Sequence, residues 1–299
     1  MILSILLLAG FVAGAAGDGV PDSCFFQKGA GNKEYILESP LLSGKIDASG
    51  SVCGITPLVY RETGMALASP YGLFSYYRIF STNHRYVESM RALPAETELH
   101  GRDCLEVRWQ AAEGRPYVLR GIYRWVEAGI LDFETIVEAV EDLPDFEVFL
   151  SSYMTEGFPS AQIFVKKPGG EPSFLKANPA AGAWQAFPGD SRGLSLIRDG
   201  RWTIPPSPVD WTIPADYAHP LIFRRHEATG LTVALMARAE DCFAVMAPQD
   251  GDAHFSMYFS LFGRTIKAGE KASTTTRLLI GKMDDAELLR QYGRFCSKS

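Results

Sequence analysis

Apolar and polar residues alternate with a period of two through most of the chain from about residue 34 to 281, the pattern of strands that bury one face. Leu105-Glu106-Val107-Arg108-Trp109 alternates, and Glu113-Gly114-Arg115-Pro116 then turns the chain. Tyr117 to Val126 alternates again, and Glu127-Ala128-Gly129 turns it back into Ile130 to Val140. Connections this short join antiparallel neighbours, so the segment predicts a three-stranded meander. Further strands are expected at 146–153, 160–167, 193–198, 221–226, 231–237, 242–247, 254–262 and 273–280. Only one helix is convincing, where Asp284 or Asp285 can cap a stretch running through Glu287, Leu288, Leu289 and Tyr292. Roughly a dozen strands with one short C-terminal helix predict an all-β fold, a sandwich of large antiparallel sheets.

Residues 168–220 break the rhythm, with nine prolines and Trp184, Trp202 and Trp211 among them. Proline removes a ladder donor, so this stretch is expected as long loops lying over one sheet face. The N-terminus breaks it too. Ile2 to Ala16 is an uncharged apolar run of 15 residues, short of the ~20 needed to span a bilayer. It ends in Ala13-Gly14-Ala15 and is followed by the polar turn Asp18-Gly19-Val20-Pro21-Asp22, as in a cleaved secretory signal. The expected organisation is a signal peptide at 1–17, an N-terminal extension at 18–33 and a single β-sandwich domain at 34–299. The protein is then secreted or periplasmic, with no stable membrane span once the signal is cut. A buried N-terminal helix is the alternative.

Composition narrows the class. With 46% hydrophobic and 21% charged residues the chain can bury a core and is not disordered. A net charge of −6 without a long basic run argues against a nucleic-acid partner. The five cysteines, Cys24, Cys53, Cys104, Cys242 and Cys296, form no CxxC pair, so no structural metal is expected. Cys24 and Cys296 lie near opposite ends and could join them. The 5 Trp, 12 Tyr and 18 Phe leave aromatic surface for a flat, partly apolar ligand.

Four clusters carry candidate chemistry. In the 252–262 strand, His254, Ser256, Tyr258 and Ser260 share one face and Phe255, Met257, Phe259 and Leu261 the other, which suits a polar groove for a hydroxylated ligand. Around 76–86, Tyr76 and Arg78 share a face, and Asn83-His84-Arg85 forms a loop. There His84 is a candidate acid or base, with Arg78 or Arg85 binding a carboxylate or polarising a carbonyl. The apolar strand ending in Tyr153 leads to Glu156, a possible base. His219 closes the proline-rich excursion, just before Arg224 and His226. No GxSxG, HExxH, P-loop or GxGxxG occurs.

Gly121-Ile122-Tyr123-Arg124-Trp125, Leu131-Asp132-Phe133-Glu134-Thr135 and Leu143-Pro144-Asp145-Phe146-Glu147-Val148-Phe149 resemble the central strands of galactose-mutarotase-like proteins. The 254–262 strand, with Gly263-Arg264 and Lys267-Ala268-Gly269-Glu270 after it, resembles that superfamily's C-terminal strands. The resemblance covers about residues 35–281 and implies a β-supersandwich that binds carbohydrate on a concave face. It further implies an aldose-1-epimerase-like isomerase, a non-catalytic carbohydrate-binding protein, or a polysaccharide lyase or glycoside-cleaving enzyme. Mutarotases place two histidines and a carboxylate over the anomeric centre, roles that His84, His219 or His254 and Glu156 could fill without a cofactor. Trp184, Trp202 or Trp211 would stack on the sugar, with Arg78, Arg85, Tyr153 and Tyr258 as further contacts to a mono-, oligo- or polysaccharide.

Overall fold

A computed structural model describes residues 21, 23–50 and 52–297; the expected signal segment 1–17 lies outside them. The described residues form three antiparallel sheets. The largest has nine strands in the spatial order Gly170–Lys176, Ala161–Lys167, Tyr217–Arg225, Leu231–Ala237, Lys271–Lys282, Ile130–Ala139, Tyr117–Glu127, Cys104–Trp109 and Glu96–Leu99. The second has six, in the order Trp184–Pro188, Cys242–Pro248, Ser256–Ile266, Leu143–Tyr153, Ser75–Ser81 and His84–Arg85. A five-stranded sheet runs in sequence order from Phe25–Lys28 to Met65–Ala66. The expected meander is present, with Leu119 opposite Trp109 on one side and Val137 on the other.

The main core lies between the two large sheets. Along Ser256–Ile266, Met257, Phe259 and Leu261 point into it, as period two requires. Phe74 stacks on Phe133 there, with centroids 5.0 Å apart. The six-stranded sheet is buried on its other face as well, where Phe149, Ala244, Met246 and Tyr258 pack with Trp202 and Trp211. Two covered faces explain why its central strands are buried almost without a break.

The structure corrects four local expectations. Residues 193–198 are not a strand but part of the helix Ser191–Arg198. Gly193, Leu196 and Ile197 are its buried positions, a helical spacing, and Asp190 Oδ1 accepts a hydrogen bond from the Gly193 N–H at 2.8 Å. The proline-rich excursion is likewise not all loop, because Gly170–Lys176 and Trp184–Pro188 form edge strands. The N-terminal boundary at 33 falls inside a hairpin, since Phe25–Lys28 pairs with Glu34–Glu38 and Phe26 is in the main core. Finally, all five cysteines are free: Cys24 packs in the main core while Cys296 sits on the C-terminal helix Asp285–Ser297 against a different apolar cluster.

Candidate functional site

A cavity of about 290 Å³ opens on the outer face of the six-stranded sheet. Its base is Phe149 and Tyr153 from Leu143–Tyr153, Tyr258 from Ser256–Ile266, and Tyr77 and Arg78 from Ser75–Ser81. Consecutive residues of a regular strand cannot face the same way. Here Arg78 is opposite Phe149 and Tyr76 is opposite Leu150, which leaves Tyr77 without a partner. The extra residue is a bulge that turns both Tyr77 and Arg78 toward the cavity. Tyr76 therefore does not share a face with Arg78; its hydroxyl donates to Thr135 Oγ1 at 2.9 Å inside the core.

The proline-rich excursion forms one wall. Trp184, Trp202 and Trp211 pack edge to face, with Trp211 5.2 Å from Trp202 and 6.0 Å from Trp184. Trp202 rides on the short turn Arg201–Thr203, and that turn is pinned from below. The fully buried Arg201 donates to Glu147 Oε2 at 2.9 Å and Asp199 Oδ2 at 2.8 Å, and Ser260 Oγ donates to Glu147 Oε1 at 2.7 Å. Burial raises the Glu147 carboxyl above the ordinary range, with the Arg201 charge opposing it.

His254 continues that wall at its rim, edge to face with Trp184 at 5.2 Å. It precedes its strand instead of lying on it: Phe255 is left-handed at φ 46°, and the strand begins at Ser256. Asp252 Oδ1 accepts from the His254 backbone N–H at 2.8 Å and lies 2.7 Å from Nδ1, fixing the ring and leaving Nε2 for a ligand. The turn is anchored by the buried Arg224, which donates to the carbonyls of Phe158, Pro159 and Ser256. Burial lowers its guanidinium to about 10.

The tyrosines are linked. Ser256 Oγ donates to Tyr258 Oη at 2.5 Å, and the Tyr258 hydroxyl is hydrogen-bonded to Tyr153. Burial pushes Tyr258 well above the usual phenol range, and Tyr153 upward against the lowering influence of Arg91. Both stay protonated at neutral pH, so they are hydrogen-bond donors.

Seven of the sequence candidates thus meet at one cavity: Arg78, Tyr153, Trp184, Trp202, Trp211, His254 and Tyr258. Four do not line it. Glu156 is exposed in an adjoining depression that shares Tyr71 and His254. His84 is exposed on the edge strand, edge-on to Tyr86 at 4.5 Å. Arg85 is used on backbone carbonyls, including Pro206 O at 2.6 Å, and braces the excursion. His219 belongs to the other sheet, stacked between Phe164 and Tyr292 under the C-terminal helix. The expected pairing of His254 with a second histidine is therefore absent: His84 and His219 lie on other surfaces. Tyr71, Tyr77, Phe149 and Arg91 were not expected at the site. The bulge hides Tyr77 from a period-two reading. Arg91 sits on the turn Met90–Ala92, which has no periodicity to find.

No protein-family model matches the chain, and no curated protein matches its sequence. Solved structures do match. A galactose mutarotase-like protein from Lactobacillus casei superposes with a TM-score of 0.52 at 10% identity, covering 83% of this chain and 100% of that one. A second, from Clostridium acetobutylicum, gives 0.51 at 12% identity over 84% and 95%. A putative aldose 1-epimerase from Escherichia coli gives 0.50 at 14% identity over 84% and 99%. The chain has the galactose-mutarotase-like fold. At these identities the likeness carries the fold alone.

Proposed function

We propose that this protein is exported and binds a carbohydrate in the aromatic cavity that His254 and the three tryptophans line. The observation that carries the reading is the lining itself. The partly exposed Trp184, backed by the buried Trp202 and Trp211, suits the apolar C–H face of a pyranose, while Tyr153 and Arg78 offer donors to its hydroxyls. The volume of about 290 Å³ suits one sugar ring. The solved relatives named as aldose 1-epimerase or mutarotase-like add a fold-level reason to look for carbohydrate.

An isomerase reading is favoured by one feature, the Asp252–His254 pair with Nε2 left free at a cavity that Tyr153 also lines. Anomerisation needs one group to take the anomeric hydroxyl proton and another to protonate the ring oxygen. His254 and Tyr153 supply such a pair, and Glu156, outside the cavity, is not needed.

The test is direct. Saturation-transfer NMR of the purified chain with glucose, galactose and their uronates reports binding, and Trp202→Ala is expected to weaken any signal about tenfold. One-dimensional NMR of freshly dissolved α-anomers reports catalysis. Faster anomerisation that His254→Ala abolishes supports the isomerase, and binding with unchanged anomerisation supports a non-catalytic sugar-binding protein. Absence of binding to all four sugars defeats both. Export predicts that the chain recovered outside the cytoplasm lacks residues 1–17 by intact mass, and a full-length mass there defeats it.

A further inference from the structure

The protein contains five buried arginines, and the way they are satisfied divides them. Arg201 is paired with Glu147 and Asp199, Arg277 with Asp132 at 2.7 Å, and Arg224 with three backbone carbonyls. Arg78 and Arg91 are the exceptions. They are 3% and 8% exposed, and among the described residues neither has a carboxylate within ion-pair distance. Arg78 donates Nη2 to Ser207 O at 2.7 Å, while its Nε and Nη1 have no partner. Arg91 Nη1 has none either. Both line the cavity, which no Asp or Glu among the described residues lines.

Burying a guanidinium without a counter-charge is expensive in proportion to its lost hydration. Aromatic faces offset part of this. Arg78 lies over Tyr77 at 5.0 Å and Trp202 at 5.3 Å, and Arg91 over Tyr77 at 4.6 Å and Tyr71 at 5.1 Å. Cation–π contacts neutralise no charge and use none of the planar N–H donors. Two guanidiniums that share the Tyr77 ring and keep buried, unpartnered donors at an aromatic cavity without acid groups are matched to an anion that arrives with the ligand.

We propose that the ligand is an acidic sugar, whose carboxylate or sulfate ester is held by Arg78 and Arg91 while its ring rests against the tryptophans. This rests on the carbohydrate reading above and narrows it to anionic sugars. Uronates and sulfated sugars present the same chemistry, anionic oxygens on a pyranose, and the measurement separates them.

Calorimetric titration of the full chain compares glucose, glucuronate, glucose 6-sulfate, and inorganic sulfate alone. An acidic sugar is expected to bind at least about tenfold more tightly than glucose, by a margin that shrinks as salt rises. Preference for glucuronate identifies the carboxylate arm, and preference for glucose 6-sulfate the sulfate arm. Equal affinity for glucose and both acidic sugars overturns the anionic proposal and leaves sugar binding standing. Inorganic sulfate binding as tightly as its sugar ester keeps the anion site but removes the sugar reading, so it overturns the proposal. Arg91→Met is expected to erase the preference without lowering the melting temperature, because it removes an uncompensated charge. Acidic sugars should raise that temperature in the parent and not in the variant. A lowered melting temperature together with a retained preference would show Arg91 to be structural and overturn its role.

Discussion

At the scale of single residues, the histidines show how packing separates one imidazole from another. His254 keeps an exposed ring held by Asp252, whereas His219 lies flat between Phe164 and Tyr292, at 5.3 and 4.5 Å. Burial disfavours its charged form and lowers its pKa. An unfolded imidazole begins to take up a proton as pH falls toward about 6.5, while the folded protein resists doing so until lower pH. In that window the unfolded chain binds more protons, so stability declines as pH falls through it and is unaffected well above it. His219→Phe keeps the stacked aromatic and removes the titration. Urea midpoints near pH 7.5 and near pH 5 are expected to differ less in the variant than in the parent. The same difference in both proteins would mean that His219 does not contribute to acid sensitivity.

At the scale of elements, regular alternation was readable and its interruptions were not. The 105–140 meander emerges within a residue or two of its expected bounds, because each strand buries one face and short turns fix the pairing. The helix Ser191–Arg198 imitates a strand in sequence because Leu194 and Leu196 alternate, yet Gly193 and Ile197 share the buried side with Leu196. A short apolar run does not distinguish the two periods. The cavity was half legible for the same reason. Tyr258 and Tyr153 follow strand period, and the tryptophans stand out by composition. Tyr77 is delivered by a bulge, and Arg91 by a three-residue turn. Both depend on tertiary pairing that no local pattern records. The C-terminal helix was readable from Asp284, whose Oδ1 accepts from the Glu287 N–H at 2.7 Å. Its buried Leu288, Tyr292 and Phe295 cover Leu221, Phe223 and Met236 on the outer face of the nine-stranded sheet.

At the scale of the whole molecule, the proline-rich excursion and the six-stranded sheet are held together by charge as well as by apolar contact. Glu147 and Ser260 come from neighbouring strands of the sheet, Arg201 and Asp199 from the excursion, and Glu147 and Arg201 are fully buried. Removing only the cation leaves a carboxylate without compensation, so Arg201→Met is expected to destabilise the fold by about 3–5 kcal/mol in urea titrations at neutral pH. Burial already raises the Glu147 carboxyl, and losing the Arg201 charge raises it further. A raised carboxyl pKa favours folding while the group is protonated and loses that contribution as pH climbs through the folded value. The cost of Arg201→Met should therefore shrink on acidification. Adding Glu147→Gln removes the charge altogether, and the double variant is expected to recover a large part of the loss. Trp202, the next residue along the chain, loses its anchor in both variants, so sugar affinity should stay weak even where stability returns. A double variant as unstable as the sum of the two single ones would show that the two residues act separately, and full sugar affinity in it would show that Trp202 is placed by the surrounding aromatic rings alone.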